Sequence, residues 1–100
     1  MNIDSLENNI KNIFHKDEQQ ELNFTYIKRN GNYIIYLSYK KTKIVSYDNY
    51  LLNIYKINKK AKSKNQTICN YLKMICLSKL EILESYFILL MSIIKINKDI

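Results

Sequence analysis

Lysine side chains interleaved with tyrosines are the residues of this chain whose types and spacing are best suited to chemistry. Ammonium groups attract phosphate oxygens, and an exposed aromatic ring gives a nucleobase a surface on which to stack. We predict that Tyr36 and Tyr47 lie on the less apolar face of a sheet and that the basic residues bind nucleic acid or an acidic partner. The candidate binding residues are Lys28, Arg29, Tyr36, Lys40, Lys41, Lys43, Lys59, Lys60, Lys62 and Lys64.

The basic residues are segregated along the chain. The whole chain has a net charge of +7, but residues 22–79 carry twelve basic side chains and one acidic one, a net charge of +11. Residues 1–21 carry −3 and residues 80–100 carry −1. AT-rich codons would also enrich lysine and tyrosine, and that alternative predicts a solvated lysine surface with tyrosines packed over the core. Codon bias would spread the lysines evenly, so the segregation favours a binding surface.

The chain carries little of what catalysis requires. His15 is the only histidine, and its charged neighbours indicate an exposed or capping side chain. Without a second histidine or a Cys/His cluster, we expect no zinc site. The single glycine, Gly31, excludes a glycine-rich phosphate loop, and Glu81 and Glu84 are typical of acids in the first turn of a helix. We therefore predict a protein that is not an enzyme and has no cofactor.

The two cysteines and the apolar segments indicate a cytoplasmic protein. Cys69 and Cys76 are seven residues apart, which on one helix separates their Cα atoms by about 10 Å. A disulfide needs less than about 7 Å, so both are predicted to be buried free thiols of a reducing compartment. The acidic N-terminus is unlike a targeting peptide. The longest apolar stretch, residues 86–94, is far shorter than the ~20 residues of a membrane span.

The first half of the chain predicts a helix followed by a hairpin. Helical spacing of apolar residues predicts helix 4–16, with Asp4 and Glu7 as a capping box. Asn30-Gly31 favours a two-residue type I′ turn. That turn fixes the register, in which Lys28 faces Tyr33, Tyr26 faces Ile35, Phe24 faces Leu37 and Leu22 faces Tyr39. This nearly apolar face is expected to contact the core.

A third strand and several helices are predicted in the remainder. We expect a strand over 44–47, a helix over 49–57, a basic loop over 58–65 and a helix over 65–77 begun by Ser63 and Gln66. Ser78 and Glu81 predict a capping box for a last helix over 79–96. The fold class is thus α+β in a single domain, residues 1–100: an N-terminal helix, a three-stranded antiparallel sheet, then two or three C-terminal helices.

The last predicted helix is apolar nearly all round from Tyr86 onward. Such a helix is either the central element of the core or one half of a subunit interface. The second possibility predicts a homodimer through Phe87, Leu90 and Ile94.

Part of the chain is similar to the double-stranded-RNA-binding domain. The predicted order of one helix and three strands matches it, and residues 59–62 (KKAK) resemble the lysine cluster at the start of its second helix. Residues 63–66 (SKNQ) stand where that domain has alanines, and a helix is predicted between the third strand and the lysines. The lysine cluster is therefore the main point of likeness.

A second likeness covers residues 1–57. Residues 1–6 (MNIDSL) and 10–12 (IKN), the Asn30-Gly31 hairpin and a helix soon after the third strand resemble small prophage-encoded anti-CRISPR inhibitors of the α-β-β-β-α-α type. That family inhibits by acidic mimicry of DNA, whereas residues 22–79 here are strongly basic. The resemblance implies a class only, a small phage-encoded protein that acts by stoichiometric binding.

Three functional hypotheses follow from these observations. The first is a non-enzymatic phage or mobile-element protein that inhibits or modulates a bacterial protein–nucleic acid complex in the cytosol. The second is a stand-alone RNA- or DNA-binding module that uses its basic loops, and the third is a structural homodimer formed through the last helix. No membrane partner is expected under any of them.

Overall fold

A computed structural model describes residues 2–98 of the chain. Helices α1 (Ile3–Lys11) and α2 (Lys16–Gln19) precede strands β1 (Leu22–Arg29), β2 (Asn32–Tyr39), β3 (Thr42–Asp48) and β4 (Leu51–Ile54). Helices α3 (Lys64–Ser78) and α4 (Leu80–Lys98) follow. The α+β class, the N-terminal helix, the antiparallel sheet and the C-terminal helices are confirmed. The predicted count of three strands is wrong, because the sheet has four in the order β1-β2-β3-β4.

The predicted β1–β2 hairpin is confirmed together with its register. Asn30 and Gly31 have φ of 52° and 82°, the left-handed conformation that a type I′ turn requires. Leu22 pairs with Tyr39 and Lys28 pairs with Tyr33, with antiparallel pairing throughout. Because side chains alternate across a strand, this register directs the apolar set into the core.

Residues 49–57 do not form the predicted helix. Asn49 and Tyr50 have φ of 50° and 64°, so they form another two-residue turn, and Leu51 pairs with Asp48 across it. Asparagine tolerates this left-handed conformation better than most residues. The strand forms because the backbone N–H and C=O groups at the edge of β3 make hydrogen bonds with β4. A short isolated helix over the same residues would have little stability of its own.

The helices cover one face of the sheet. α3 and α4 pack on β2 and β3, and α1 packs against α4. The Phe87 ring of α4 stacks on Tyr47 of β3 with centroids 5.6 Å apart and contacts Phe24 of β1 at 6.3 Å. The largest fully buried side chains are Tyr47, Phe87, Leu6, Ile10, Ile35, Leu37, Ile44, Leu72, Leu83, Leu90, Met91 and Ile94.

The dimer prediction for the last helix is wrong in its residues. Phe87, Leu90 and Ile94 are each 0% exposed within a single chain, so none of them is available to a second copy. They belong to the core because they lie on the side of α4 that faces the sheet.

The helix ends differ from the predicted caps at two places. Asn2 caps α1, accepting a hydrogen bond from the Ser5 backbone N–H at 2.8 Å, in place of the predicted Asp4–Glu7 box. Ser78 is the last residue of α3, and its hydroxyl donates to the carbonyl of Ile75 at 2.7 Å. Because α4 begins at Leu80, Lys79 and not Ser78 holds the cap position of α4. Ser63 caps α3 as predicted, with its hydroxyl oxygen 3.1 Å from the Gln66 backbone nitrogen.

Within residues 2–98, no helix combines the length and the apolar content that crossing a membrane requires.

Candidate anion-binding surface

The predicted basic residues occupy two opposite ends of the sheet. Lys40 and Lys41 form the β2–β3 turn, at the end where β1 begins, and the Lys40 backbone N–H donates to the Glu21 carbonyl at 3.0 Å. Lys28 and Arg29 are the last residues of β1 and therefore lie at the opposite end, beside the Asn30-Gly31 turn. Antiparallel pairing imposes this separation, so the candidate residues do not form one patch.

The chain after β4 returns toward the β2–β3 turn. The Tyr55 backbone N–H donates to the Ile44 carbonyl at 3.0 Å, so the segment continues antiparallel along β3 toward its first residue. One cavity is lined by Lys40, Lys41 and Asn65, which joins the turn to the start of α3. A neighbouring cavity is lined by both Thr42 and Asn58. We name this end of the molecule the basic end; its lysines are Lys40, Lys41, Lys59, Lys60, Lys62 and Lys64.

Polar side chains of α3 hold the basic loop in place. The Asn58 backbone N–H donates to Asn70 Oδ1 at 2.9 Å, and Asn70 Nδ2 donates back to the Asn58 carbonyl at 2.7 Å. The Lys62 backbone N–H donates to Gln66 Oε1 at 2.5 Å. Amide side chains can both donate and accept, which suits them to fixing a loop that has no strand partner.

Lys73 completes this attachment. Its ammonium group donates to the Lys56 carbonyl at 3.0 Å, and the residue is 6% exposed. Gln66, Asn70 and Lys73 thus form a polar stripe at spacings of four and three residues along one helix. Sequence reasoning missed Asn70 and Lys73 and treated Gln66 only as a cap of the helix, although the spacing of these three polar residues was the signal that could have found their role.

Two lysines at the basic end have strained backbone conformations. Lys40 has φ of 52° and Lys41 has φ of 121°, a region that residues with a Cβ rarely adopt. Such conformations cost about 1–3 kcal/mol each and are often found at functional sites. The turn therefore retains lysine at two positions where asparagine or glycine would be less strained.

The predicted stacking tyrosines have little exposed ring surface. Tyr36 lies on the face of the sheet away from the helices but is 7% exposed, and Lys43 Nζ sits 4.1 Å from its ring centroid. Tyr47 lies on the opposite, core-facing side and is 1% exposed, so the prediction that places it on the less apolar face is wrong. Its register position opposite Ile35 fixes that orientation.

The electrostatic environment of the basic end is mainly positive. Burial raises the pKa of the Cys69 thiol above its ordinary value, while a hydrogen bond from Thr42 and the nearby charges of Lys73 and Lys40 partly lower that pKa. Thr42, Cys69 and Lys73 line one cavity at this end of the molecule. Glu21 is the acidic residue that lines the cavity with Lys40 and Lys41. The N-terminal end of α3 adds the partial positive charge of its unpaired N–H groups.

The exposed lysines of the basic end are a candidate site for an anion. Within residues 2–98, no group of three or more His, Cys, Asp or Glu side chains is arranged to hold a metal ion. His15 is exposed and makes no capping hydrogen bond through its side chain.

No protein-family model, curated protein or solved structure matches this chain.

Proposed function

We propose that this protein is a non-enzymatic binding protein that attaches stoichiometrically to a bacterial protein–nucleic acid complex and contacts the nucleic acid through its basic end. The observation that carries this proposal is the convergence of lysines from the β2–β3 turn and from the loop that Gln66, Asn70 and Lys73 hold in place. Lysines on a pre-ordered backbone lose less conformational entropy when they bind phosphates.

Nucleic acid is favoured over a small phosphorylated molecule because of the arrangement of the charges. The lysines border open cavities at the molecular surface, lined by Lys40 and Lys41 in one case and by Lys59 and Lys60 in another. Spread-out charges of this kind match the repeated phosphates of a polynucleotide better than they match a single anion. Tyr36 is covered by Lys43, so the proposal assigns the affinity to phosphate contacts and little of it to base stacking.

Two charge-matched variants test which end of the molecule binds. Lys40→Ala/Lys41→Ala removes two charges at the basic end, and Lys28→Ala/Arg29→Ala removes two at the opposite end. Binding to a fluorescent single-stranded RNA and to a DNA duplex is measured by anisotropy over a salt series. We expect the first variant to reduce the slope of log K against log salt by about 2, and the second to leave it nearly unchanged. A slope near zero for the unmodified protein contradicts nucleic-acid contact.

A capture experiment distinguishes a nucleoprotein target from bare nucleic acid. The immobilised protein is exposed to purified bacterial nucleoprotein complexes of known composition, with and without nuclease treatment. Retention of a complex that the Lys40→Ala/Lys41→Ala variant fails to retain supports the proposal. Strong binding to bare strands with no preference for any complex instead supports a stand-alone nucleic-acid-binding module.

A further inference from the structure

An apolar stripe runs along the solvent side of α4. Ile82, Leu89 and Ile96 recur at intervals of seven residues and are 46%, 47% and 63% exposed. Ile88 lies beside them and is 45% exposed. The outward side of a surface helix usually carries charged and polar residues, so an apolar outer stripe indicates an interaction surface.

Two serines complete a heptad pattern within this stripe. Ser85 and Ser92 lie three residues after Ile82 and Leu89 respectively, and four residues before Leu89 and Ile96. Alternating spacings of three and four residues are those of the core positions of a coiled coil. The Ser85 hydroxyl donates to the Ile82 carbonyl at 2.7 Å, and the Ser92 hydroxyl donates to the Ile88 carbonyl at 3.0 Å. Because both hydroxyl donors already have partners inside the helix, covering them with another helix leaves no donor unsatisfied.

The charges bordering the stripe are opposite at its two ends. Glu81 lies near the start of α4, and Lys95 lies near its end on the same border of the stripe. The Lys95 ammonium group is held at that border by Tyr50, 3.3 Å from its hydroxyl and 4.8 Å from its ring centroid. The helix is therefore complementary in charge to a reversed copy of itself.

We propose that α4 pairs antiparallel with α4 of a second copy of this chain, forming a two-fold symmetric dimer. In this arrangement Ile82 and Leu89 pack opposite the partner's Ser92 and Ser85, so large side chains fill the space above small ones. Glu81 lies beside the partner's Lys95 twice, once on each side of the axis.

A parallel pair would be worse in both respects. It would set Ser85 opposite the partner's Ser85, leaving a void, and would keep Glu81 and the partner's Lys95 at opposite ends of the pair, so they could not attract each other. In the antiparallel dimer, the buried side of α4 remains in the core of each chain. The β2–β3 turn of the basic end belongs to other elements than the paired helix. The dimer therefore does not depend on the proposed function, although it would present two basic ends to one polyanion.

Sedimentation velocity over a concentration series tests the dimer. The paired segment from Glu81 to Ile96 is only about 24 Å long, so we expect a reversible dimer with a dissociation constant of roughly 10 µM. Leu89→Asp should weaken the dimer by at least about 100-fold, since it places a charge in the centre of the interface. Tyr71→Asp is the matched control, because it places the same charge on an exposed side chain of another helix. Tyr71 belongs to α3, is 44% exposed and lines a cavity with His15 and Ile75.

Charge reversal and cross-linking test the antiparallel orientation. Lys95→Glu should weaken the dimer, and Glu81→Lys/Lys95→Glu should restore most of the affinity. Oxidised Ile88→Cys should cross-link to its own copy near the two-fold axis, whereas Glu81→Cys should not. Circular dichroism verifies that each variant is folded. A monomer at every concentration overturns the proposal, as does a dimer that Leu89→Asp leaves intact or that cross-links through Glu81→Cys.

Discussion

At the scale of single residues, the buried charge of Lys73 has a specific hydrogen-bond partner. Lys73 is 6% exposed, yet its ammonium group reaches the Lys56 carbonyl at 3.0 Å. A hydrogen bond to a charged group typically contributes about 1.5–3 kcal/mol, which offsets part of the cost of removing that charge from water. Lys73 is therefore a structural lysine that fixes the loop, whereas the six lysines of the basic end remain available to an anionic partner.

Cys76 predicts a particular dependence of stability on pH. Burial raises the pKa of its thiol from 9.0 to about 12, so the folded protein keeps the proton that the unfolded chain releases above about pH 9. The stabilisation is complete below pH 9 and is lost as the pH rises toward 12. We expect the free energy of unfolding of the unmodified protein, minus that of Cys76→Ala, to fall by about 1.4 kcal/mol per pH unit above pH 9.

Urea denaturation of both proteins at pH 8, 10 and 11 measures this difference. Ionisation of the lysines and tyrosines affects the two proteins equally and cancels in the subtraction. A difference that does not change with pH would contradict the assignment.

At the scale of elements, tight turns determined the architecture more than helical periodicity did. The turns at residues 30–31, 40–41 and 49–50 all have positive φ, and together they produce a four-stranded meander. The residues after Asn49 also fit a helical face, which is why the sequence predicts a helix there. Pairing of Val45 with Ile54 across β3 and β4 decided the outcome.

The β2–β3 turn is predicted to exchange stability for function. Lys41→Gly removes a Cβ from a residue at φ of 121°, and the relief of strain should exceed the added entropy of the unfolded chain. We expect stability to rise by about 1 kcal/mol while affinity for nucleic acid falls. Thermal denaturation and anisotropy measure the two effects. Lys59→Gly is the control, because Lys59 does not have positive φ and glycine there should slightly destabilise the protein. A Lys41→Gly variant less stable than the unmodified protein would contradict the strain argument.

At the scale of the whole molecule, the two sides of α4 have different surroundings: the inner side contacts the sheet, and the outer side is exposed. Its inner side carries Phe87, which is 0% exposed and stacks on Tyr47, whereas its outer side carries Leu89, which is 47% exposed. Both sides are apolar, so hydropathy does not identify which one contacts the sheet. Only the packed structure does.

Phe87→Ala tests this division. The variant leaves a cavity between Tyr47 and Phe24, and we expect a loss of stability of about 3–5 kcal/mol. It should leave the oligomeric state of the folded protein unchanged, in contrast to Leu89→Asp. Urea denaturation and sedimentation of the folded fraction measure the two properties. A loss below about 1 kcal/mol would contradict the central position of Phe87 in the core.

The sequence alone determined the local features. Asn30-Gly31 specifies a turn by its backbone preference, which fixes the β1–β2 register, and Ser63 specifies the start of α3 by its hydroxyl oxygen. The α+β class and the candidate lysines were also evident from the residues. The tertiary structure alone decided that residues 51–54 pair with β3, that Tyr47 faces the core and that Phe87 is covered by the sheet. It also divided the basic residues between two ends. These outcomes depend on contacts between residues distant in sequence. Local conformational preferences carry no information about which distant residues a strand pairs with or a side chain packs against.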